Sequence, residues 1–319
     1  MTSRLNKRWD LIVVGIIVNT CLGTVYSWSV FRAPLETALS LSPAQSGLPY
    51  AVFLGAFAFS MPVAGLLIGR IGPRITLLVG GLLVGAGWLT GGLARDLVPL
   101  VLAYGLIGGV GVGFAYGVPL SVAGDWFPDR RGLAMGLTLA GFGMSPFVTA
   151  PLGEVLILRV GVQSAMVILG IAFAAVISAC APLFIPRHRT EPPAPASTEA
   201  GAATAVAADL GPRAMLATRA FYGLWICYAF GTLAGLTAIG MTASFAQQAA
   251  GLTAAGAAAA VSAFAILNGV GRPIFGTVHD RLGTRRTIMV SFVLIAAAAG
   301  VATLTGTGST VPFYVGFGL

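Results

Sequence analysis

The amino-acid sequence predicts an all-α integral membrane protein. Three observations support this fold class: an apolar composition, long apolar runs, and basic residues confined to the gaps between them. Hydrophobic residues make up 57% of the chain and charged residues only 9%, whereas soluble domains carry about 25% charged residues. The net charge of +8 is scattered, without the clustered basic face that nucleic-acid binding requires. We therefore expect a lipid bilayer around the chain and no nucleic-acid partner.

Nine apolar runs are long enough to cross a bilayer core of about 30 Å, which takes about 20 helical residues. The basic N-terminus leads into the first run without a small-residue cleavage site, which indicates an uncleaved span rather than a signal peptide. A tenth span is expected to begin at about Val311 and to be cut off at Leu319. The nine predicted spans cover residues 11–31, 46–68, 75–94, 98–123, 133–154, 162–185, 220–245, 256–278 and 287–305.

Basic residues sort to one side of these spans. Only three fall on the far side, Arg32, Arg95 and Arg159, and one, Arg272, lies inside a predicted span. The positive-inside rule therefore predicts that the N-terminus and its side of the membrane are cytoplasmic. The fourteen residues on that side are Arg4, Lys7, Arg8, Arg70, Arg74, Arg130, Arg131, Arg187, Arg189, Arg213, Arg219, Arg281, Arg285 and Arg286.

A stretch rich in Pro, Ala and Ser, residues 187–218, interrupts the run of spans after the sixth. Such a composition is typical of a linker that stays out of the membrane. We predict an N-terminal six-helix bundle over 1–186, a cytoplasmic linker over 187–218, and a C-terminal bundle over 219–319. The last region would hold spans seven to nine and the start of span ten.

A short repeat joins the second and third spans of each half. The stretches "GLLIGRIGPR" at 65–74 and "GTVHDRLGTR" at 276–285 share two glycines and two arginines at an offset of 211 residues. Repeated halves around a linker are typical of secondary transporters. The matching residues are Gly65, Arg70, Gly72 and Arg74 in the first copy and Gly276, Arg281, Gly283 and Arg285 in the second.

Both copies resemble the loop motif G-x-x-x-D-R-x-G-R/x-R of the major facilitator superfamily. The resemblance implies the fold of that superfamily, and it implies that charges of the motif lock the cytoplasmic helix ends and release them on switching. The second copy has the acid of the motif, Asp280, whereas the first has Gly69. The alternative is that these charges only set the topology of the loops.

Further stretches resemble the oxalate/formate antiporter family, which is related to the monocarboxylate transporters. They are "GTVYSWSVF" at 23–31, "YGVPLSVAGDWFPDRRGLAMG" at 116–136 and "NGVGRPIFG" at 268–276. The resemblance implies twelve spans, so we expect a C-terminally incomplete chain. It also implies alternating-access exchange of small carboxylate anions such as oxalate and formate. We expect a monomer, without cofactor, in a bacterial inner membrane.

Arg272 is the principal candidate for substrate binding. It lies eight residues before Asp280, or about 12 Å along a helix, which places it near the bilayer midplane. Charges at that depth are rare and usually functional, and a guanidinium can bind a carboxylate through two parallel hydrogen bonds. Asn268, one turn earlier, could orient it. The alternative is an arginine that snorkels to the membrane face. The family resemblance implies dicarboxylate binding with help from a lysine in span eleven.

Three aromatic residues complete the predicted substrate site. Tyr116 lies nine residues before Asp125, too deep for an interfacial belt, and the resemblance implies a cavity tyrosine there. Tyr26 and Trp28 lie in the outer part of span one, where their polar tips could contact a carboxylate. For these two residues an interfacial aromatic belt is the alternative.

For gating, we predict that Asp280 pairs with Arg130 or Arg131 at the start of span five. The other residues expected to take part in gating are Gly65, Arg70, Gly72, Arg74 and Arg281. Glycines at every fourth position in "YGLIGGVGVGFAYG", 104–117, indicate close helix packing rather than nucleotide binding. Neither an enzyme nor a metal site is expected, because no nucleophile–base pair or metal-ligand spacing occurs.

No acidic residue or histidine lies deep in a complete predicted span, and proton-coupled carriers usually use such groups. The sequence therefore favours exchange of anions. Two alternatives stay open: a proton-linked symporter of monocarboxylates such as lactate or pyruvate, and a non-transporting or inert truncated membrane protein.

Overall fold

The computed structural model describes residues 2–184, 212–305 and 310–318. Every regular element in these ranges is helical, which confirms the predicted all-α class. The short elements are a 3-10 segment at Gly23–Ser27, a π-helical segment at Val101–Gly108 and a 3-10 turn at Ala181–Leu183. The α-helices are α1 Thr2–Leu22, α2 Trp28–Leu39, α3 Pro43–Gly92, α4 Leu97–Leu100, α5 Gly109–Trp126, α6 Arg131–Val160, α7 Val162–Cys180, α8 Pro212–Leu216, α9 Arg219–Gln248, α10 Ala254–Ala302 and α11 Val311–Gly318.

Six helical stretches among the described residues are long and apolar enough to cross a membrane. Two of them, in α3 and α10, run for 50 and 44 residues and each contain two of the predicted spans. The other four match predicted spans one, four, five and six. The predicted span 220–245 coincides with α9, and the predicted start of a tenth span coincides with α11.

The two long helices break at equivalent glycines of the repeat. Gly72 has φ 83° and ψ 164°, and Gly283 has φ 76° and ψ 168°. These angles belong to a region that is essentially restricted to glycine. After each break, a threonine hydroxyl donates to the glycine carbonyl, Thr76 at 2.8 Å and Thr287 at 2.9 Å. The repeat seen in the sequence is thus also a repeat of backbone geometry.

The first span differs from its prediction. Its helical course continues to Leu39 rather than ending near residue 31, and the 3-10 segment interrupts it in the middle. An Arg32–Glu36 ion pair of 3.1 Å, one turn apart, supports the extra helix. The helix ends at Ser40, which has the left-handed φ of 51°.

The chain divides into two compact units, Met1–Arg187 with Ala265–Thr287, and His188–Phe264 with Ile288–Leu319. In the first unit, the core is built around large buried side chains such as Phe31, Trp88 and Tyr104. In the second, Phe313 lies at the centre of a smaller cluster. Most of the predicted linker, residues 187–211, lies outside the described residues, and α8 lies in the part that is described. The division at 187–218 stays a prediction.

Glycines set how closely helices pack within the first unit. A Cβ on Gly105 or Gly109 would collide with the backbone of α3 at Pro49 or Phe53, and one on Gly113 with Ser60. This confirms that the glycine run in residues 104–117 is a helix-packing face.

Candidate functional site

Arg272 lies in the first half of α10, within the first unit, and its guanidinium is half-buried. It donates one hydrogen bond to the Leu139 carbonyl at 3.1 Å and one to Asn268 Oδ1 at 3.2 Å. A guanidinium carries five N–H donors. The other three have no hydrogen-bond partner among the described residues, so the group keeps donor capacity for a further ligand.

No described carboxylate forms an ion pair with this arginine. In the ranges that the structure describes, the ion pairs are Arg8–Asp129, Arg32–Glu36 and the longer His279–Asp280 contact. A positive charge inside a membrane helix is costly unless it has a counter-charge or water. The setting of Arg272 therefore favours the binding of an anion.

A cluster of aromatic rings centred on Phe142 lies next to Arg272. The ring centroid of Phe142 lies 5.2 Å from that of Tyr26, 5.0 Å from that of Tyr116 and 6.3 Å from that of Phe57. The guanidinium carbon of Arg272 lies 5.9 Å from the same centroid, within the range of a cation–π interaction. Phe142 thus lies next to Tyr26, Tyr116 and Arg272, which come from separate stretches of sequence. The role of these residues in substrate binding stays a prediction.

The sequence reasoning missed Phe142, which is 2% exposed. Its position between Gly141 and Gly143 was the available signal, because glycines in a span mark places where other helices approach closely. A Cβ on Gly143 would lie 2.8 Å from Asn268 Oδ1 and 3.1 Å from Arg272 Nε. A glycine at this position of α6 therefore leaves room for the Arg272 head group.

Trp28 belongs to a second aromatic cluster. Its ring stacks on Tyr104 with centroids 4.3 Å apart, and its indole N–H donates to the Ser46 carbonyl at 3.3 Å. The side chain is 5% exposed, so it is a core residue rather than part of an interfacial belt. Any role of Trp28 in substrate binding stays a prediction.

Asp280 docks onto the first turn of α6. Its two carboxylate oxygens accept hydrogen bonds from the backbone N–H groups of Gly132, at 2.7 Å, and Leu133, at 2.8 Å. These N–H groups have no partner within the helix, and the helix dipole favours a negative charge there. The predicted pairing with Arg130 or Arg131 is corrected: Asp280 binds the backbone beside them.

Two glycines make this docking possible. A Cβ on Gly276 would overlap the Gly132 carbonyl, and a Cβ on Gly132 would overlap the Gly276 carbonyl. One turn further along α6, a Cβ on Gly136 would overlap the Arg272 carbonyl. The helices α6 and α10 are therefore in backbone contact from Asp280 to Arg272, which connects the docking point with the candidate site.

The first copy of the repeat lacks the corresponding contact. Gly69 replaces the acid, and neither Gly65 nor Gly69 has an atom within 4 Å of a Cβ position. The motif arginines Arg70, Arg74 and Arg281, like Arg130 and Arg131, are exposed and form no ion pair with any described residue. Their predicted part in gating stays a prediction.

The match between residues 211 positions apart continues in the helical residues before each copy of the motif. Pro62 matches Pro273, whereas Met61 stands at the position of Arg272 and Phe57 at that of Asn268. The two copies thus share their backbone landmarks, and only the second has the polar pair.

Similarity to known proteins agrees with this architecture. Residues 12–319 match the Major Facilitator Superfamily. The chain is 31% identical to the oxalate:formate antiporter of Oxalobacter formigenes, over 91% of this chain and 68% of that protein. It is 27% identical to an uncharacterized MFS-type transporter of Escherichia coli (strain K12), over 90% of this chain and 70% of that protein. With monocarboxylate transporter 13 of Rattus norvegicus it shares 29% identity, over 57% of this chain and 42% of that protein.

Among solved structures, the fucose:proton symporter of Escherichia coli has a TM-score of 0.52 at 15% identity, over 96% of this chain and 81% of that chain. This likeness supports the fold alone. Together with the long apolar helices, these matches make the chain a multi-pass membrane protein whose relatives are transporters rather than enzymes. It belongs to the Major Facilitator Superfamily, in the group of carriers that includes the oxalate:formate antiporter.

Proposed function

We propose that this protein exchanges small carboxylate anions of the oxalate or formate type across a membrane, and that Arg272 binds the anion. The observation that carries this function is the half-buried guanidinium with three unused N–H donors and no acidic partner among the described residues. A carboxylate presents two oxygens in the geometry that such a planar donor group matches.

The surroundings of Arg272 suit a small anion. Asn268 and the Leu139 carbonyl hold two of its donors, which orients the remaining ones. The rings of Tyr26, Tyr116 and Phe142 form an aromatic wall beside them. Aromatic and apolar walls exclude water and so strengthen the attraction between guanidinium and carboxylate.

Switching between the two access states would involve the docking of Asp280. Its carboxylate holds α10 against the first turn of α6, at the end where the motif arginines lie and which charge sorting predicts to be cytoplasmic. Because the same helix pair carries Arg272 and Leu139, separation at Asp280 would also change the anion site. Alternating access around a fixed site is typical of secondary transporters.

Exchange accounts better than proton symport for the groups around Arg272. In the described ranges, no Asp, Glu or His forms an ion pair with Arg272, and proton coupling usually requires a titrating group close to the substrate. The second candidate, a proton-linked symporter of lactate-like monocarboxylates, is favoured by the similarity to monocarboxylate transporter 13.

The test is counterflow in liposomes. Vesicles containing the reconstituted protein are loaded with unlabelled formate or oxalate, and the uptake of labelled oxalate is measured. We expect uptake that depends on internal anion and that is lost in Arg272→Ala. The control is Arg159→Ala, which removes an exposed arginine at the end of α6 and should leave counterflow unchanged. Counterflow that survives in Arg272→Ala would show that this residue does not bind the anion.

A second arm separates exchange from symport. Empty vesicles receive an inward proton gradient and labelled lactate or oxalate. Uptake in the absence of internal anion would identify the symporter. A lack of uptake under both conditions, by a protein that unfolds cooperatively, would contradict transport of these anions altogether.

A further inference from the structure

A cavity of about 460 Å³ lies where α3 ends and α7 begins, in the first unit. Its volume is within the range of small-molecule sites, about 300–1,000 Å³. Arg95, Gln163 and Ser164 form its polar lining, and Leu93, Val167 and Ile168 form its apolar lining. None of these residues belongs to the site around Arg272, which is formed by α6 and α10.

Arg95 lies at the polar end of this cavity, and the next residue in the chain is the exposed Asp96. Arg95 is exposed, and it forms no hydrogen bond or ion pair with any residue in the described ranges. Arg32, which the charge sorting assigns to the same side, has protein partners instead: it contacts Glu36, Ser46 Oγ at 2.8 Å and the Pro43 carbonyl at 2.6 Å. Arg95 is thus available for an anion from outside the chain.

The polar lining beside Arg95 is fixed in place. The Gln163 side-chain N–H donates to the Ala94 carbonyl at 2.8 Å, which ties the first turn of α7 to the residue before Arg95. Ser164 is exposed next to it. Its hydroxyl adds a donor to those of the guanidinium.

The lining becomes apolar within one turn of α7. Ile168 follows Ser164 by four residues, on the same face of the helix, and is 43% exposed, while Leu93, directly after the last residue of α3, is 63% exposed. In a membrane-spanning helix, such exposed apolar side chains face lipid chains. The cavity therefore changes from cationic to apolar in the direction from the end of the span towards its middle.

We propose that this cavity binds an anionic phospholipid, with the headgroup phosphate on Arg95 and an acyl chain along Val167 and Ile168. The charge of Arg95 selects a phosphate-bearing, negatively charged molecule, and an arginine fork suits phosphate oxygens. The apolar lining selects the lipid over free phosphate, because free phosphate would leave that surface uncovered. A phospholipid is likewise polar at its headgroup, at the membrane surface, and apolar along its acyl chains, towards the middle of the membrane.

The bound lipid would also hold two helices together. A Cβ on Gly92 would lie 2.5 Å from the Gln163 carbonyl oxygen and 2.9 Å from a Val167 methyl carbon. The helices α3 and α7 are therefore in direct contact at the floor of the cavity. A ligand that contacts both helices stabilises the folded state by mass action.

The experiment measures lipid retention by the full chain with native mass spectrometry during titration of phosphatidylglycerol in detergent. Phosphatidylcholine and inorganic phosphate are titrated in parallel. We expect phosphatidylglycerol to bind and to raise the unfolding temperature, and both effects to fall in Arg95→Gln. Loss of a charge-assisted contact with phosphate should weaken binding about tenfold.

Two matched variants test the two ends of the cavity. Arg159→Gln removes a charge assigned to the same side but outside the cavity lining and should retain wild-type affinity. Ile168→Ser makes the apolar wall polar at an exposed position. It should weaken lipid binding without altering the unfolding temperature of the lipid-free protein. Equal affinity of wild type and Arg95→Gln would overturn the site, and so would equal losses in Arg95→Gln and Arg159→Gln. Inorganic phosphate that displaces the lipid and stabilises equally well would overturn the assignment to a lipid.

Discussion

The two copies of the repeat have the same backbone but different chemistry. In both, a proline precedes the motif by a few residues, a glycine breaks the helix at almost the same φ and ψ, and a threonine caps the glycine carbonyl. Only the second copy has an arginine and an asparagine in the preceding helix and an acid in the motif. Met61, Phe57 and Gly69 stand at those three positions in the first copy.

This comparison separates the residues that shape the helix pair from those that act. The break does not require Asp280 or Arg272, because it forms in the first copy without them. The polar residues of the second copy add three hydrogen bonds to α6, at Gly132, Leu133 and Leu139. Function is therefore expected to be asymmetric between two copies that are alike in backbone.

The largest effect is expected from Arg272→Met. This change gives the second copy the residue that the first copy has at the matching position, Met61. Loss of a bidentate contact between guanidinium and carboxylate, about 3 kcal/mol, should reduce counterflow at least about 100-fold. Met61→Ala, at the matching position, should change counterflow by less than about twofold, a shift of about 0.4 kcal/mol. Equal losses of counterflow in the two variants would contradict the expected functional asymmetry between the copies.

Close packing provides the next test. Gly276→Ala places a methyl group against the Gly132 backbone and should lower the free energy of unfolding by about 1–3 kcal/mol, as overpacking usually does. Gly65→Ala, the matching change in the first copy, meets no atom within 4 Å. It should be neutral or slightly stabilising, since alanine favours helix over glycine. Thermal unfolding in detergent checks both, and equal destabilisation would mean that α10 gains nothing from its contact with α6.

A smaller effect is expected at the docking point. Asp280→Asn keeps the shape of the side chain but removes its charge, so the contact with the N–H groups of Gly132 and Leu133 should weaken by about 1 kcal/mol. The measurement is the labelling rate of a cysteine placed at Ala134, which is 2% exposed, in a chain whose own cysteines are replaced by serine. We expect about fivefold faster labelling, the equivalent of 1 kcal/mol.

The control for docking is Gly69→Asp, which completes the motif in the first copy. Its side chain has space, because no atom lies within 4 Å of the Cβ position. Labelling at the Ala134 position should stay at the wild-type rate. A change there as large as in Asp280→Asn would show that any charge in the motif loops, rather than the docking of Asp280, controls access.

The smallest effect concerns a second contact at the start of α6. Arg8 donates to Asp129 at 2.5 Å, and this hydrogen bond lowers the pKa of the Asp129 carboxyl. A lowered pKa means that the pair contributes stability above the unfolded pKa of about 3.9 and loses it as the pH falls through the folded pKa. Asp129→Asn should therefore cost little at neutral pH, about 0.2–1 kcal/mol as for other exposed pairs, and nothing at pH values below the folded pKa. Unfolding curves of both proteins against pH check this, and a constant difference would contradict it.

The sequence alone determined the membrane class, the positions of the spans and the repeat. Apolar length and charge sorting are one-dimensional properties, and the bilayer requires each span to satisfy its backbone internally as a helix. It also singled out Arg272, because a charge inside an apolar run is visible without a structure. The glycine spacing in residues 104–117 predicted a packing face for a similar reason, since the period of a helix is fixed.

Only the tertiary structure decided which side chains meet. Phe142 is unremarkable in the sequence, yet it lies between Tyr26, Tyr116 and Arg272 because α6 brings it there. Trp28, close to Tyr26 in sequence, faces a different cluster, because residues two positions apart do not lie on the same side of a helix. Asp280 binds backbone N–H groups rather than an arginine. Backbone donors do not show in a residue pattern, and the glycines that expose them act only once two helices are in contact.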